Sequence, residues 1–205
     1  MNTKTKTKTK TQFIAVATIT SELSAVVVIA KEISLAAANA KAIAFRAGDK
    51  AKGFQPITDY IGDLAKETIE RVTAINELAI VLYRVTVNEF RMAVSYNKFD
   101  EITKISGTAL YADSMRKPLD KTKIIMQDYN RQFKRDVTLL LSQLEAVMHH
   151  AQTARVIATY SRIEASQAGE YLQSLQAVAE SVDKAAHTIH ENVQRCIMAL
   201  ALFSK

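Results

Sequence analysis

Four histidines, one cysteine and a row of lysines are the side chains of this 205-residue sequence best equipped for chemistry. His149 and His150 are neighbours, so on a helix they point about 100° apart and cannot chelate one ion together. His187 and His190 share a helical face with Asp183 and Glu191 close by in sequence, the outline of a weak metal cluster. A dinuclear centre inside a helical bundle needs Glu-x-x-His pairs from two helices plus further glutamates, and the sequence has no such pair. The histidines are therefore expected to face solvent. Cys196 has no histidine partner in sequence and falls in an apolar helical register, where a lone thiol is a small core hydrophobe suited to a reducing, cytoplasmic compartment. There is no phosphate-cradling glycine loop and no nucleophile elbow. These residues point away from an enzyme and predict no cofactor, metal or small-molecule substrate.

The lysines carry charge rather than catalysis. Lys4, Lys6, Lys8 and Lys10 alternate with threonines, and without them 23 basic residues face 21 acidic ones, so the net charge of +6 is concentrated in this leader. Low complexity and charge predict that residues 1–10 are disordered. The expected state of this leader is solvated, and residues 1–10 are the only expected route to nucleic acid or an anionic membrane.

The chemistry is thus one of surfaces, and helices must position them. Five glycines, two prolines and no tryptophan leave few breakers in 205 residues, which argues for a few long helices and against a sheet. Helix 1 is predicted from about Thr11 to Ala47, with Val16, Ile19, Leu23, Val26, Ala30, Ile33, Ala37, Ala40, Ala44 and Ala47 spaced by three and four, the seam of a left-handed bundle. This continuity favours a bundle helix over a signal peptide or membrane span. Helix 2 starts near Phe54, tolerates Pro56 in its first turn, and carries Ile57, Ile61, Leu64, Thr68, Ile75, Leu78 and Leu82 inward. Ser106 and Gly107 break it, a connector covers about 106–117, and Pro118 opens helix 3, which runs to Ala168; helix 4 runs from Tyr171 to Phe203.

The pattern occurs twice. An offset of 121 residues lays Val16, Ile19, Leu23, Val26 and Ala30 on Val137, Leu140, Leu144, Val147 and Ala151, then Ala47-Gly48-Asp49 on Ala168-Gly169-Glu170, and Phe54, Ile61 and Leu64 on Leu175, Val182 and Ala185. The expected architecture is all-α: an elongated antiparallel four-helix bundle of coiled-coil type, built from two repeated hairpins at about 11–105 and 118–205 in a single domain, 11–205. Its turns lie together at one end. Helices 1 and 4 are expected to extend about 35 residues and helices 2 and 3 about 50, leaving the longer pair to overhang at the other end. Arg71 and Asn192 occupy one equivalent register in the two copies, either at the rim or as a buried polar layer.

The stretch NAKAIAFRAGDKAKGFQPITDYIGDLA, from Asn39 to Ala65, resembles the hairpin tip of the cytoplasmic signalling domain of methyl-accepting chemotaxis proteins. It shares Asn39, Ala40, Ala44, Arg46, Ala47, Gly48, the acid Asp49, the base Lys52, Gly53, Phe54, Ile57, Ile61, Leu64 and Ala65. Residues Arg162 to Ala186 carry a fainter version through Ile163, Glu164, Ala165, Ala168, Gly169, Glu170, Val178 and Val182. In that family two subunits each give one hairpin to a four-helix bundle whose tip meets other receptors, a histidine kinase and a coupling adaptor. The resemblance therefore implies a fused pseudo-dimer that docks on those partners through Asn39, Arg46, Gly48, Asp49, Phe54, Glu164, Gly169 and Glu170. The chain departs from the pattern at Ile43, where the family has glutamate, and at Tyr160, Gln167 and Leu172-Gln173-Ser174-Leu175 in the second tip. No sensor or membrane region is expected before helix 1, and the arms are expected to fall short of the family's methylation sites. The implied function is a chemoreceptor-like interaction protein without an evident input. The alternative is a structural or effector bundle that binds a membrane or nucleic acid through its basic leader and overhanging helices.

Overall fold

The computed structural model describes residues 3–105 and 112–203. Helix α1 spans Thr3–Ala47, α2 Phe54–Ile105, α3 Arg116–Ala165 and α4 Leu172–Ala201, with single 3-10 turns at Gly48–Ala51, Ala112–Met115 and Gly169–Tyr171. Among the described residues there is no strand. Each helix packs along its sequence neighbours and α1 closes against α4, giving an up-down-up-down four-helix bundle. Pro56 and Pro118 sit in the first turns of α2 and α3, where backbone amides have no intrahelical acceptor to lose. The break expected at Ser106 and Gly107 lies outside the described residues.

The repeat is a repeat of burial. Along α1 and α3, Ile19, Leu23, Val26 and Ala30 and their counterparts Leu140, Leu144, Val147 and Ala151 are all buried. Along α2 and α4 the matching buried pairs are Phe54 with Leu175, Ile61 with Val182, Ala65 with Ala186, Val72 with Val193, Ile75 with Cys196 and Ala79 with Leu200. Large aliphatics fill the middle, while near the turns Ala40, Ala44, Ala51, Ala165 and Ala168 surround Phe54 and Leu175 in a separate small-residue core. Small side chains let the helices approach closely there.

On α2 the centre of the stripe is shifted from the expected one. Ile57 and Leu78 are only partly buried, whereas Thr58, Ala65, Val72 and Ala79 face inward. Threonine serves as a core residue in this bundle because the helix itself satisfies its hydroxyl: Thr58 donates to the Gln55 carbonyl at 2.7 Å, Thr68 to Leu64 at 2.8 Å and Thr86 to Leu82 at 2.9 Å. Thr68 lies on the expected stripe, whereas Thr58 and Thr86 are positions that a search for apolar side chains passes over.

The Lys/Thr leader is helical from Thr3 on. It continues α1, which is 45 residues long rather than about 35. The 52 residues of α2 run alongside the part of α1 that follows the leader. Gln12 is buried there and its Nε2 donates to Glu89 Oε2 at 3.3 Å, and the rings of Phe13 and Tyr83 meet at 5.4 Å between centroids. With α4 only 30 residues long, three helices rather than two continue past its end before α2 and α3 go on alone.

The polar register is asymmetric between the copies. Asn192 is buried and accepts a hydrogen bond from Arg195, which also donates from Nη2 to Glu22 of α1 at 2.9 Å, whereas Arg71 stays half-buried. One copy thus holds a polar tie between α1 and α4 and the other leaves its arginine at the rim.

Candidate functional site at the hairpin tips

Both turns are built the same way. Gly48 has φ +58° and Gly169 φ +57°, the only left-handed residues among those described, and each opens a 3-10 turn that leads into the next helix. Glycine is needed because a Cβ strains this conformation. The equivalence of the two glycines is therefore structural as well as sequential.

The two turns also touch. The Lys50 side chain reaches over Gly169, so that a Cβ placed on that glycine would lie 3.9 Å from Lys50 Cδ. In the other direction, the Glu164 carboxylate fills the space that a Cβ on Gly53 would need. Each hairpin thus covers a glycine of the other, and the tips form one continuous surface.

On that surface Asn39, Arg46, Gly48, Asp49, Gly169 and Glu170 are exposed, and Glu164 is partly so. Arg46 folds back along its own helix, Nε donating to the Ala42 carbonyl at 3.3 Å. Phe54 is different. At 1% exposure it is a core residue beneath the tip and cannot be part of a contact surface, because the alanines around it leave a ring-sized space that only an inward side chain fills. Ile43, at the position where the receptor family carries glutamate, packs against the same small core.

Sequence reasoning missed the most apolar part of the tip. Gly53 of the turn and Pro56, Ile57 and Tyr60 of α2 face Ile157, Tyr160, Ile163 and Glu164 of α3 across an open groove of about 420 Å³. Tyr60, Tyr160 and Ile163 are 50%, 60% and 56% exposed. Their equivalents on the α4–α1 side are Ser181, Asn39 and Ala42, so one of two matching faces is aromatic and the other polar. The signal lay in the departure of Tyr160 from asparagine.

Below the tip, α3 and α4 are cross-braced. Asp183 accepts from Arg162 Nη2 at 2.8 Å and from Arg155 Nε at 3.3 Å, and the Arg162 hydrogen bond leads in holding its carboxyl below the usual carboxylate range. This engagement keeps Asp183 from joining His187 and His190. His187 pairs with Glu191 at 3.3 Å on the surface, and among the described residues no three His, Cys, Asp or Glu side chains gather as a metal site would require.

His150 does not face solvent as expected. Only 13% of its side chain is exposed, Nδ1 lies 3.5 Å from Thr68 Oγ1 and Nε2 lies 3.7 Å from Glu67 Oε2 across the α2–α3 seam. Burial pushes its pKa down, and the nearby Arg71 charge adds to this. Cys196 is fully buried, and burial pushes its thiol up to about 12, so the protonated form persists at neutral pH.

Compared with known proteins, the chain matches no family model, no curated protein and no solved structure.

Proposed function

We propose that this chain is a cytoplasmic interaction protein of chemoreceptor type, docking through its paired tips on chemotaxis receptors, their histidine kinase or the coupling adaptor. The observation that carries the reading is the mutual covering of Gly53 by Glu164 and Gly169 by Lys50. It joins two like-built turns within one polypeptide, which is the arrangement that the resembled receptors assemble from two subunits. The exposed polar residues Asn39, Arg46, Asp49 and Glu170 supply hydrogen-bonding and charged groups. The Tyr60–Tyr160–Ile163 groove supplies an apolar anchor of the kind that dominates interface energetics.

The reading is tested by affinity capture from the host with wild type, an Arg46→Glu/Glu170→Lys variant and a Tyr160→Ser variant. These side chains are exposed, so thermal melting should stay close to that of wild type. Receptor, kinase or adaptor should be recovered by the wild type and lost with the variants. Equal recovery by all three would remove the tip from the account.

A further inference from the structure

The fold sorts charge along its length. Residues 1–20 and 84–136, whose described parts lie toward the end away from the turns, hold 15 lysines and arginines against seven acids, whereas residues 21–83 and 137–203 hold 11 against 14. The leader supplies only four of those 15; the rest lie on α2 and α3. This open end is therefore a cationic pole opposite a mildly acidic one.

Apolar surface is exposed beside this pole, midway along the bundle. On the α1–α2 face, Ile14 is 55%, Ile80 52% and Tyr83 49% exposed. Between them runs a groove of about 500 Å³ whose walls include Phe13, Val16, Ala17, Ala79, Ile80 and Tyr83. Lys10, Arg84, Arg91 and Lys98, all exposed, border this face. The nearest acids on it are Glu77, toward the turns, and Glu89, which is held by Gln12. Helix α1 is also long and apolar enough to cross a membrane by length and composition, and 33% of its most apolar window is buried in the bundle.

We propose that the α1–α2 side next to the open end docks peripherally on an anionic phospholipid surface, Lys10, Arg84, Arg91 and Lys98 engaging headgroup phosphates while Ile14, Ile80 and Tyr83 enter the interfacial layer beside the Phe13–Tyr83 groove. Basic residues flanking an exposed apolar face are what an anionic bilayer interface attracts, through charge and buried hydrocarbon together. Nucleic acid accounts for the charge but gives exposed isoleucines nothing to do, and the apolar groove walls carry no amide or guanidinium to read a base edge. This inference is independent of the tip reading, since the docking face contains none of the tip residues.

The test is flotation of the full chain with vesicles of phosphatidylcholine alone and of phosphatidylcholine mixed with phosphatidylglycerol. Binding should appear only with the anionic mixture and should fall steeply with added salt. An Arg84→Glu/Arg91→Glu variant should partition about tenfold more weakly or worse, since two charges are reversed at the surface. An Ile14→Ser/Ile80→Ser variant should lose several-fold while keeping the same salt dependence. Circular dichroism melting, expected to be unchanged for both, separates loss of docking from loss of fold. Equal binding to both vesicle types, or binding unaffected by the arginine reversals, overturns the proposal. So does capture of a DNA or RNA strand that the isoleucine changes leave intact without vesicle binding, or flotation that resists high salt and alkaline carbonate, which would mean that α1 has inserted.

Discussion

The carboxylate of Glu164, at the end of α3, stands where a Cβ on Gly53 would have to go. The close approach joins the two hairpins at their turns, yet the obstructing atoms are the far end of a flexible side chain. Gly53→Ala should therefore swing Glu164 outward at little cost, changing stability by less than about 1 kcal/mol in either direction, since alanine also restricts the unfolded chain. Partner capture should fall if the tip surface depends on Glu164 being held inward. A parallel Glu164→Ala variant checks this: it should match Gly53→Ala in capture, and a large melting change in either would show that the contact is structural.

Gly48 and Gly169 behave oppositely. Neither has backbone crowding where a Cβ would go, so Gly48→Ala and Gly169→Ala should be limited by the left-handed backbone alone, each costing about 1–2 kcal/mol. Denaturant unfolding of the two variants should give similar losses because the turns are equivalent. A loss confined to one would mean that the second turn relaxes where the first cannot.

Phe54 is expected to report on the core and not on docking. Truncation to alanine empties a fully buried site lined by alanines that cannot expand into it, so stability should fall by about 3–5 kcal/mol. For a chain of this size that is a melting temperature lower by roughly 10 °C. Near-wild-type melting of Phe54→Ala would contradict the placement of the ring.

Two titrations should be visible in stability against pH. The folded state holds His150 below its ordinary 6.5, so the unfolded chain takes up the proton first: stability is full above about 6.5 and declines as pH falls through the lowered folded value. His150→Gln should flatten that decline. Asp183 is held below its ordinary 3.8 by Arg162 and Arg155, so its contribution is present above about 3.8 and is lost in stronger acid. Because all three side chains are partly exposed, Asp183→Asn should cost well under 1 kcal/mol at neutral pH, and the difference from wild type should close in acid. Urea midpoints measured across pH check both signs.

The seam of α1 was legible residue by residue, and so was that of α3 through Phe133, Val137, Leu140, Leu144 and onward, because large aliphatics and alanines recurring by three and four have one way to be buried together. The α2 seam was rightly read at Thr68 but misplaced at Ile57 and Leu78, because Thr58 belongs to the core on the strength of a hydroxyl bond to its own helix, which no hydropathy pattern records. The helical start of α1 was hidden for another reason. A Lys/Thr alternation has no apolar stripe from which a helix over residues 3–10 can be read.

By itself, then, the sequence determined the all-α class, the two-hairpin repeat and the turns at Gly48 and Gly169, since periodicity and a left-handed glycine are local properties that neighbouring residues decide. Only the tertiary structure decided that Phe54 lies under the surface, that His150 is enclosed, and that Glu164 meets Gly53. It also decided that basic residues from α1, α2 and α3 share a pole. Exposure, pairing and the summing of charge depend on which distant segments are brought side by side, and packing alone settles that.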